Sequence, residues 1–302
     1  MDIGMQSIGS YDHLLKVAKI TQDNGGVAIA VADHYLYGDS HEDYSAVAYD
    51  TLIQAAALGR DTRDIDIVML VSPVTFRHPA VYAKSAISID ELSGGRFVLG
   101  LGTGWHDDEH AYFGFDYPPL KERFEMLEDQ LGYVRAYFDD PEGGYKSDRW
   151  QFKGYDAQPR ARADLRLMIG GGGAVKTPTL AAKYCDEFNL YHHKPEGIME
   201  RLAVARKAAE SVGRDFDEVL ISTSMPALGV DSAAEVEDLL EEVVAVRGGG
   251  DETRDGMRPF IKTWAEHAEK VEQLEAAGIQ RVYIQAAAHF ESQVEPCLRA
   301  LV

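Results

Sequence analysis

Eight short apolar runs, separated by longer stretches of helical periodicity, constrain this 302-residue chain more than any other feature. The runs are Ile3-Gly4-Met5, Val27 to Ala32, Ile65 to Val71, Arg96 to Gly102, Leu165 to Gly170, Glu187 to Tyr191, Val219 to Met225 and Arg281 to Ala286. Continuous runs such as IDIVMLV mark strands buried on both faces. Strands that alternate with helices pair in parallel through right-handed crossovers. Eight such units predict an α/β fold, a closed (β/α)8 TIM-type barrel, in preference to an open doubly wound sheet. No shift in composition divides the chain, so residues 1–302 read as one barrel domain.

The segments between the runs carry helix punctuation. A helix over Tyr11 to Asp23 stops at Asn24-Gly25-Gly26, and another crosses Tyr44 to Leu58. His78-Pro79 opens a third, and Ser93-Gly94-Gly95 supplies its left-handed stop. After Pro119, the apolar residues Leu120, Phe124, Leu127, Leu131, Val134 and Phe138 fall on one helical face. An insertion is expected after strand 4. Residues 139–164 read as a long surface connection, and 247–256 as a flexible link between two helical patterns.

Lys and Arg number 30 against 50 Asp and Glu, a net charge of −20. Such a chain repels phosphate backbones and anionic lipid, which argues against nucleic-acid and membrane partners. Its two cysteines, Cys185 and Cys297, form no CxxC, so neither a disulfide framework nor a cysteine-rich zinc site is expected. No basic, apolar leader and no run of about 18 apolar residues occurs. A cytoplasmic protein acting on a small-molecule substrate is the expectation, with a homodimer left open.

In a barrel, chemistry gathers where strands end. Strand two delivers Asp33-His34. Either the carboxylate orients the imidazole for acid–base work, or Asp33 caps a helix and His34 is a bystander. Strand five delivers Gly170 to Gly173, whose bare N–H groups before a helix could cradle an anion, with Lys176 adding charge. No GKS or GKT follows, so this is not a nucleotide P-loop. Gly100-x-Gly-x-Gly104 has Trp105 where the dinucleotide fingerprint needs glycine. His106-Asp107-Asp108-Glu109-His110 matches the H-x-x-E-H of one zinc peptidase class. It follows GLGTGW rather than lying inside a long amphipathic helix, so no metal is assigned. His192-His193 read as loop polar groups. Trp105, Tyr112, Phe113, Phe115 and Tyr117 either wall a pocket or pack the insertion onto the barrel.

Several long segments resemble the luciferase-like monooxygenase superfamily of flavin and deazaflavin enzymes. They are VADHY (31–35), VSPVTFRHPAVYAKSAISIDELSGGRFVLGLGTGWHDDEH (71–110), FGF…ERFEMLEDQL (113–131), IGGGG…TLAAKYCDEFN (169–189) and VEQLEAAGIQRVYIQ (271–285). The resemblance spans nearly the whole chain and looks most like the branch that uses coenzyme F420, with FMN as the alternative cofactor. It implies a TIM-type barrel and hydride transfer at the deazaflavin ring. Asp33 and His34 would contact that ring. Met69 and Leu70 match a backbone bulge with a non-prolyl cis peptide behind it. Gly171, Gly172 and Gly173 would bind the cofactor phosphate. His34 and Glu109 are the candidate catalytic groups. Trp105 stands where the sugar-phosphate dehydrogenases of this branch have Glu, so a sugar phosphate is not the implied substrate. An FMN-dependent monooxygenase and a non-catalytic cofactor-binding barrel are the competing readings.

Overall fold

The computed structural model describes residues 1–36, 47–285 and 291–302. Its principal strands are β1 (Asp2–Ser7), β2 (Ala28–Val31), β3 (Asp66–Met69), β4 (Phe97–Gly102), β5 (Arg166–Gly171), β6 (Glu187–Leu190), β7 (Leu220–Pro226) and β8 (Arg281–Gln285). They run parallel in the order β3-β2-β1-β8-β7-β6-β5-β4, and β3 pairs with β4 to close the cylinder. Ile67 lies opposite Phe97 at that closure. The predicted barrel is present, with strand ends displaced by one or two residues, and Ala286 lies outside the described residues.

The absence of polar alternation has a direct cause. Ala28, Ala30, Val68, Val98, Met168 and Tyr283 pack together inside the barrel. Their neighbours Ile29, Val31, Ile67, Phe97, Leu99, Leu167 and Ile169 belong to the outer layer under the helices. Both faces are therefore apolar. Gly4 lies opposite Tyr283. A Cβ on Gly4 would come within 2.9 Å of that ring, so glycine makes room for the tyrosine in the interior.

The helices are α1 (Tyr11–Asp23), α2 (Thr51–Asp61), α3 (Pro79–Ser93), α4 (Asp107–Phe113), α5 (Leu120–Asp139), α6 (Lys176–Tyr184), α7 (Pro195–Val212), α8 (Val236–Arg247), α9 (Gly250–Met257), α10 (Trp264–Ala276) and α11 (Val294–Leu301). Sequence punctuation set the third as expected: His78 caps α3, Pro79 opens it and Gly94 closes it at φ 71°. On α5, Leu127, Leu131, Val134 and Phe138 are buried, while Leu120 in the first turn is exposed.

Three readings are corrected, and one strand pair was not anticipated. The helix expected from Tyr44 starts at Thr51, where the Asp50 carboxylate accepts the N–H groups of Leu52 and Ile53; residues 44–46 lie outside the described residues. The connection 139–164 contains an antiparallel pair, Tyr145–Lys146 with Gln151–Phe152, pinned because Tyr145 and Phe152 pack on Tyr133. The supposed flexible link holds α9, which Arg254 ties to Glu237 of α8 at 2.9 Å. Finally, Leu228–Val230 and Ile261–Thr263 form a small parallel pair beyond β7, too short to show a period in the sequence. Among the described residues no helix is long and apolar enough to cross a membrane.

Candidate active site

A cavity of about 730 Å³ opens at the carboxyl ends of the strands. Gln6 and Ser7 enter it from β1, His34 from beyond β2, Leu70 and Val71 from beyond β3, and Trp105 from beyond β4. Gly171, Gly172 and Asn189 close the side formed by β5 and β6, and Arg247, Met257 and Phe260 of the α8–α9 segment form the far wall. Its volume is that of a site for a cofactor-sized molecule.

The chain bends sharply behind this cavity. The Leu70–Val71 peptide is cis, and Ser72–Pro73 then pairs with β4, Ser72 opposite Leu101. Gly100 permits the bend, since a Cβ there would lie 2.0 Å from the Met69 carbonyl oxygen. The expected cis bulge exists, displaced by one residue from the assignment to Met69 and Leu70. Leu70 and Val71 face the cavity, whereas the Met69 side chain is fully buried in the outer core layer. Strand alternation sends it the other way.

His34 is held firmly. Its Nδ1 lies 2.9 Å from Glu109 Oε2. The second carboxylate oxygen accepts the N–H groups of Tyr35 at 2.6 Å and Leu36 at 2.9 Å. Glu109 is completely buried. Burial alone would raise its pKa, but the His34 bond and charge, with the two N–H donors, outweigh it and hold the group below its ordinary value. A buried carboxylate that stays charged fixes the ring's orientation and stabilises its protonated form. Trp105 meets the His34 ring edge-on at 5.6 Å.

Of the two readings of Asp33-His34, neither the pair nor a helix cap by Asp33 is found among the described residues. Asp33 turns to Arg77, which also reaches Asp50 at 2.8 Å, and it accepts a hydrogen bond from the Ser72 hydroxyl. Consecutive residues of extended chain point to opposite sides, so the partner of His34 comes from 75 positions later in the sequence. Asp33 borders the cavity but spends its carboxylate on bracing.

The H-x-x-E-H residues serve three separate contacts. Glu109 holds His34. The His106 ring accepts the Glu109 N–H as the cap of α4. His110 Nδ1 lies 2.7 Å from the His106 carbonyl oxygen and Nε2 2.6 Å from Thr75 Oγ1. Among the described residues no three His, Cys, Asp or Glu side chains are placed to hold a metal ion.

The glycine run differs from its expected form. Gly171 ends β5 at φ 151°, a conformation that favours glycine. Helix α6 begins only at Lys176, so Ala174 and Val175 separate it from the glycines. Gly171 and Gly172 line the cavity, while Gly173 lies against Thr177. Lys176 points away, over the Phe124 ring at 5.1 Å. The cation beside the run is Arg201, whose Nε donates to the Gly172 carbonyl at 3.2 Å. Nothing in the local sequence signals Arg201, because α7 brings it there.

Of the five aromatics after strand 4, Trp105 lines the cavity. Phe113 and Phe115 pack on Tyr35, and Tyr117 packs on His110 and under Arg123; they fasten the insertion. His193 Nε2 lies 2.6 Å from the Ser224 carbonyl oxygen and the Lys194 N–H donates to His192, as loop polar groups do. Gln6, Ser7, Arg247, Met257 and Phe260 were not anticipated. The first strand was read too short to reach Gln6 and Ser7, and the other three lie far from any barrel strand in sequence.

A family model of luciferase-like monooxygenases matches residues 2–277. The chain belongs to the luciferase-like monooxygenase family. Among its relatives is the F420-dependent glucose-6-phosphate dehydrogenase of Kribbella flavida, 30% identical over 215 residues, which cover 68% of this chain and 61% of the relative. The enzyme of the same name from Gordonia bronchialis is 26% identical over 213 residues, with the same coverage. The pyrimidine monooxygenase RutA of Cronobacter sakazakii is 27% identical over 174 residues, covering 55% of this chain and 50% of the relative. The matched region thus spans less than two thirds of these relatives. Among solved structures, an F420-dependent secondary alcohol dehydrogenase superposes with TM-score 0.81 at 16% identity, covering 100% of this chain and 99% of the other. Monooxygenase RslO1 from Streptomyces bottropensis superposes with TM-score 0.79 at 18% identity, covering 99% and 97%. These two likenesses establish the fold.

Proposed function

We propose that this chain is an oxidoreductase that binds the deazaflavin coenzyme F420 and transfers a hydride between it and a small organic substrate. The observation that carries the reading is His34, anchored on a fully buried charged Glu109 at the wall of the cavity at the strand ends. The similarity to F420-dependent dehydrogenases supports the choice of cofactor. The cavity suits such a group in two respects. Gly171 and Gly172 leave the backbone bare on the side formed by β5 and β6. Gln6 Oε1, in the wall, is buried and has no hydrogen-bond partner among the described residues, as befits an atom that awaits a ligand donor.

When bound, the deazaflavin supplies the hydride chemistry. The chain's own residues do the rest. Leu70 and Val71 form the apolar floor against which a planar ring would lie, with Met69 supporting them from the core. Asp33, clamped by Arg77 and Ser72, keeps the backbone on either side of His34 in place. Gly171 and Gly172 would face the cofactor phosphate, with Gly173 completing the turn and Arg201 offsetting the negative charge. His34 moves the proton at Nε2, while Glu109 on Nδ1 stabilises the ring when it is charged. Trp105 and Phe260 exclude water from the mouth.

Calorimetric titration of the purified chain with F420 and with FMN tests the assignment. Clearly tighter binding of F420 is expected. Tighter binding of FMN would move the protein to the monooxygenase-type reading that RutA represents, and binding of neither would end both.

A further inference from the structure

The cavity has a second hydrogen-bonded chain that the reading above does not use. Ser7, the last residue of β1, lines the cavity while only 4% exposed. Its Oγ lies 2.8 Å from His13 Nε2. The other ring nitrogen, Nδ1, lies 2.8 Å from Glu291 Oε1. The remaining Glu291 oxygen is paired with Lys16. Side-chain exposure rises along this series, from 12% at His13 to 27% at Glu291 and 60% at Lys16. The series therefore runs outward from the cavity to solvent.

Local geometry builds it. After Ser7 the chain reverses at Gly9, φ 137°, and enters α1 behind the Ser10 cap. One turn into that helix, His13 lies back over the end of β1. Glu291 arrives from the start of the C-terminal segment. The donors and acceptors then fix one another. A carboxylate held by Lys16 only accepts, so Nδ1 carries the ring proton. In the neutral ring Nε2 is then an acceptor, and the Ser7 hydroxyl donates to it. Ser7 is left presenting oxygen lone pairs to whatever occupies the cavity.

We infer that Ser7, His13 and Glu291 form a proton relay between the cavity and the surface, serving a ligand that places an O–H or N–H against Ser7. The inference rests on the reading of this cavity as the active site. In the step, the ligand O–H or N–H bond breaks and its electron pair stays on the ligand. That proton bonds to Ser7 Oγ as the hydroxyl's own proton passes to His13 Nε2. The ring, now charged beside Glu291, releases its Nδ1 proton to that carboxylate and thence to water. No electrons change owner, and the reverse sequence delivers a proton inward. A hydroxyl, an imidazole and a carboxylate can each take up a proton on one atom and release one, which is what a relay requires.

The test uses the full chain labelled with ¹⁵N in histidine, with the His13 signals assigned by their loss in His13→Gln. In the free protein we expect the proton on Nδ1 alone. Ser7→Ala should move the Nε2 signal and leave the Nδ1–H tautomer in place. A wild-type ring with a proton on Nε2, alone or with Nδ1, overturns the relay whatever the cavity binds. Adding F420, or FMN if titration selects it, should shift Nε2 in the wild type and not in Ser7→Ala; an equal shift in both overturns the link to the cavity. If neither cofactor binds, the proposed function fails, while the tautomer still decides the relay. In the loaded enzyme, His13→Gln keeps a hydrogen-bonding side chain but cannot take up a proton and pass one on. Its kcat should fall at least about tenfold with KM and Tm unchanged. Wild-type kcat in this variant would reduce the series to a fastening of α1.

Discussion

At the base of the barrel Asp66 lies between two guanidinium groups, with Arg166 bound at 2.7 Å through both carboxylate oxygens and Arg281 at 3.0 Å. At the mouth Glu109 is fully removed from water, whereas Asp66 keeps 17% of its side chain exposed, and the partners of Glu109 are one imidazole and two backbone N–H groups of a loop. Both carboxylates are held below their ordinary pKa, and in both cases opposing hydrogen bonds outweigh burial. The partners make the difference. Arginines on β5 and β8 neutralise Asp66 permanently and tie strands together. His34 is instead a partner that can take up and release a proton, and it stands on a cavity wall. The same device, a buried carboxylate, serves closure at one end and chemistry at the other.

The sharpest way to break this comparison is His34→Ala. We expect turnover to fall roughly 10²–10⁴-fold, with cofactor affinity close to wild type. Equal turnover would remove His34 from the chemistry and make the mouth as structural as the base.

Asp66→Ala should act in the opposite sense. It leaves Arg166 and Arg281 without their shared carboxylate; breaking a fully buried pair costs about 3–5 kcal/mol, and this partly exposed one should cost less. Urea unfolding should show the loss, while titration of folded protein shows unchanged cofactor affinity. The sign of its pH dependence follows from the depressed pKa. The stabilisation is full above the unfolded value, for which 3.8 is the reference, and is lost as pH falls through the lower folded value. The gap between wild type and variant should therefore close in strong acid.

Gly172→Val probes the mouth by shape rather than charge. A Cβ there would meet the Tyr191 carbonyl oxygen at 2.9 Å and crowd the cavity side of the turn. Cofactor affinity should fall at least about tenfold, 1.4 kcal/mol, in a chain that still folds. Unchanged affinity would place the phosphate elsewhere.

The smallest effect belongs to Glu187, in the barrel interior, where Tyr283 donates to it at 2.8 Å. Burial raises its pKa more than Arg281, Ser222, Tyr283 and Arg166 lower it. The folded state thus favours the protonated acid. That contribution is full below the reference value of 4.5 and is lost as pH rises toward the raised folded value. Glu187→Gln, which mimics the acid, should match or exceed wild-type stability at pH 7, by on the order of 1 kcal/mol. Destabilisation would mean that the base, too, depends on a charged carboxylate here.

The sequence by itself determined the barrel. Eight apolar runs with helical stretches between them admit few arrangements, and strands buried on both faces need helices around them. It also placed His34, Glu109, Leu70, Gly171 and Gly172 near the mouth, because strand ends are visible as the ends of apolar runs. The tertiary structure alone decided who touches whom. Asp33 is adjacent to His34 in the chain but points away from it, while Glu109, 75 positions on, holds the ring. Lys176 follows the glycines in sequence, yet Arg201 from α7 is the cation beside them. Ser7, His13 and Glu291 come from the two ends of the chain and meet because β1 and β8 are neighbours in the closed cylinder. Apolar periodicity is a property of local segments and survives in one dimension. Hydrogen bonds between side chains act over about 3 Å and depend on which strands closure makes neighbours.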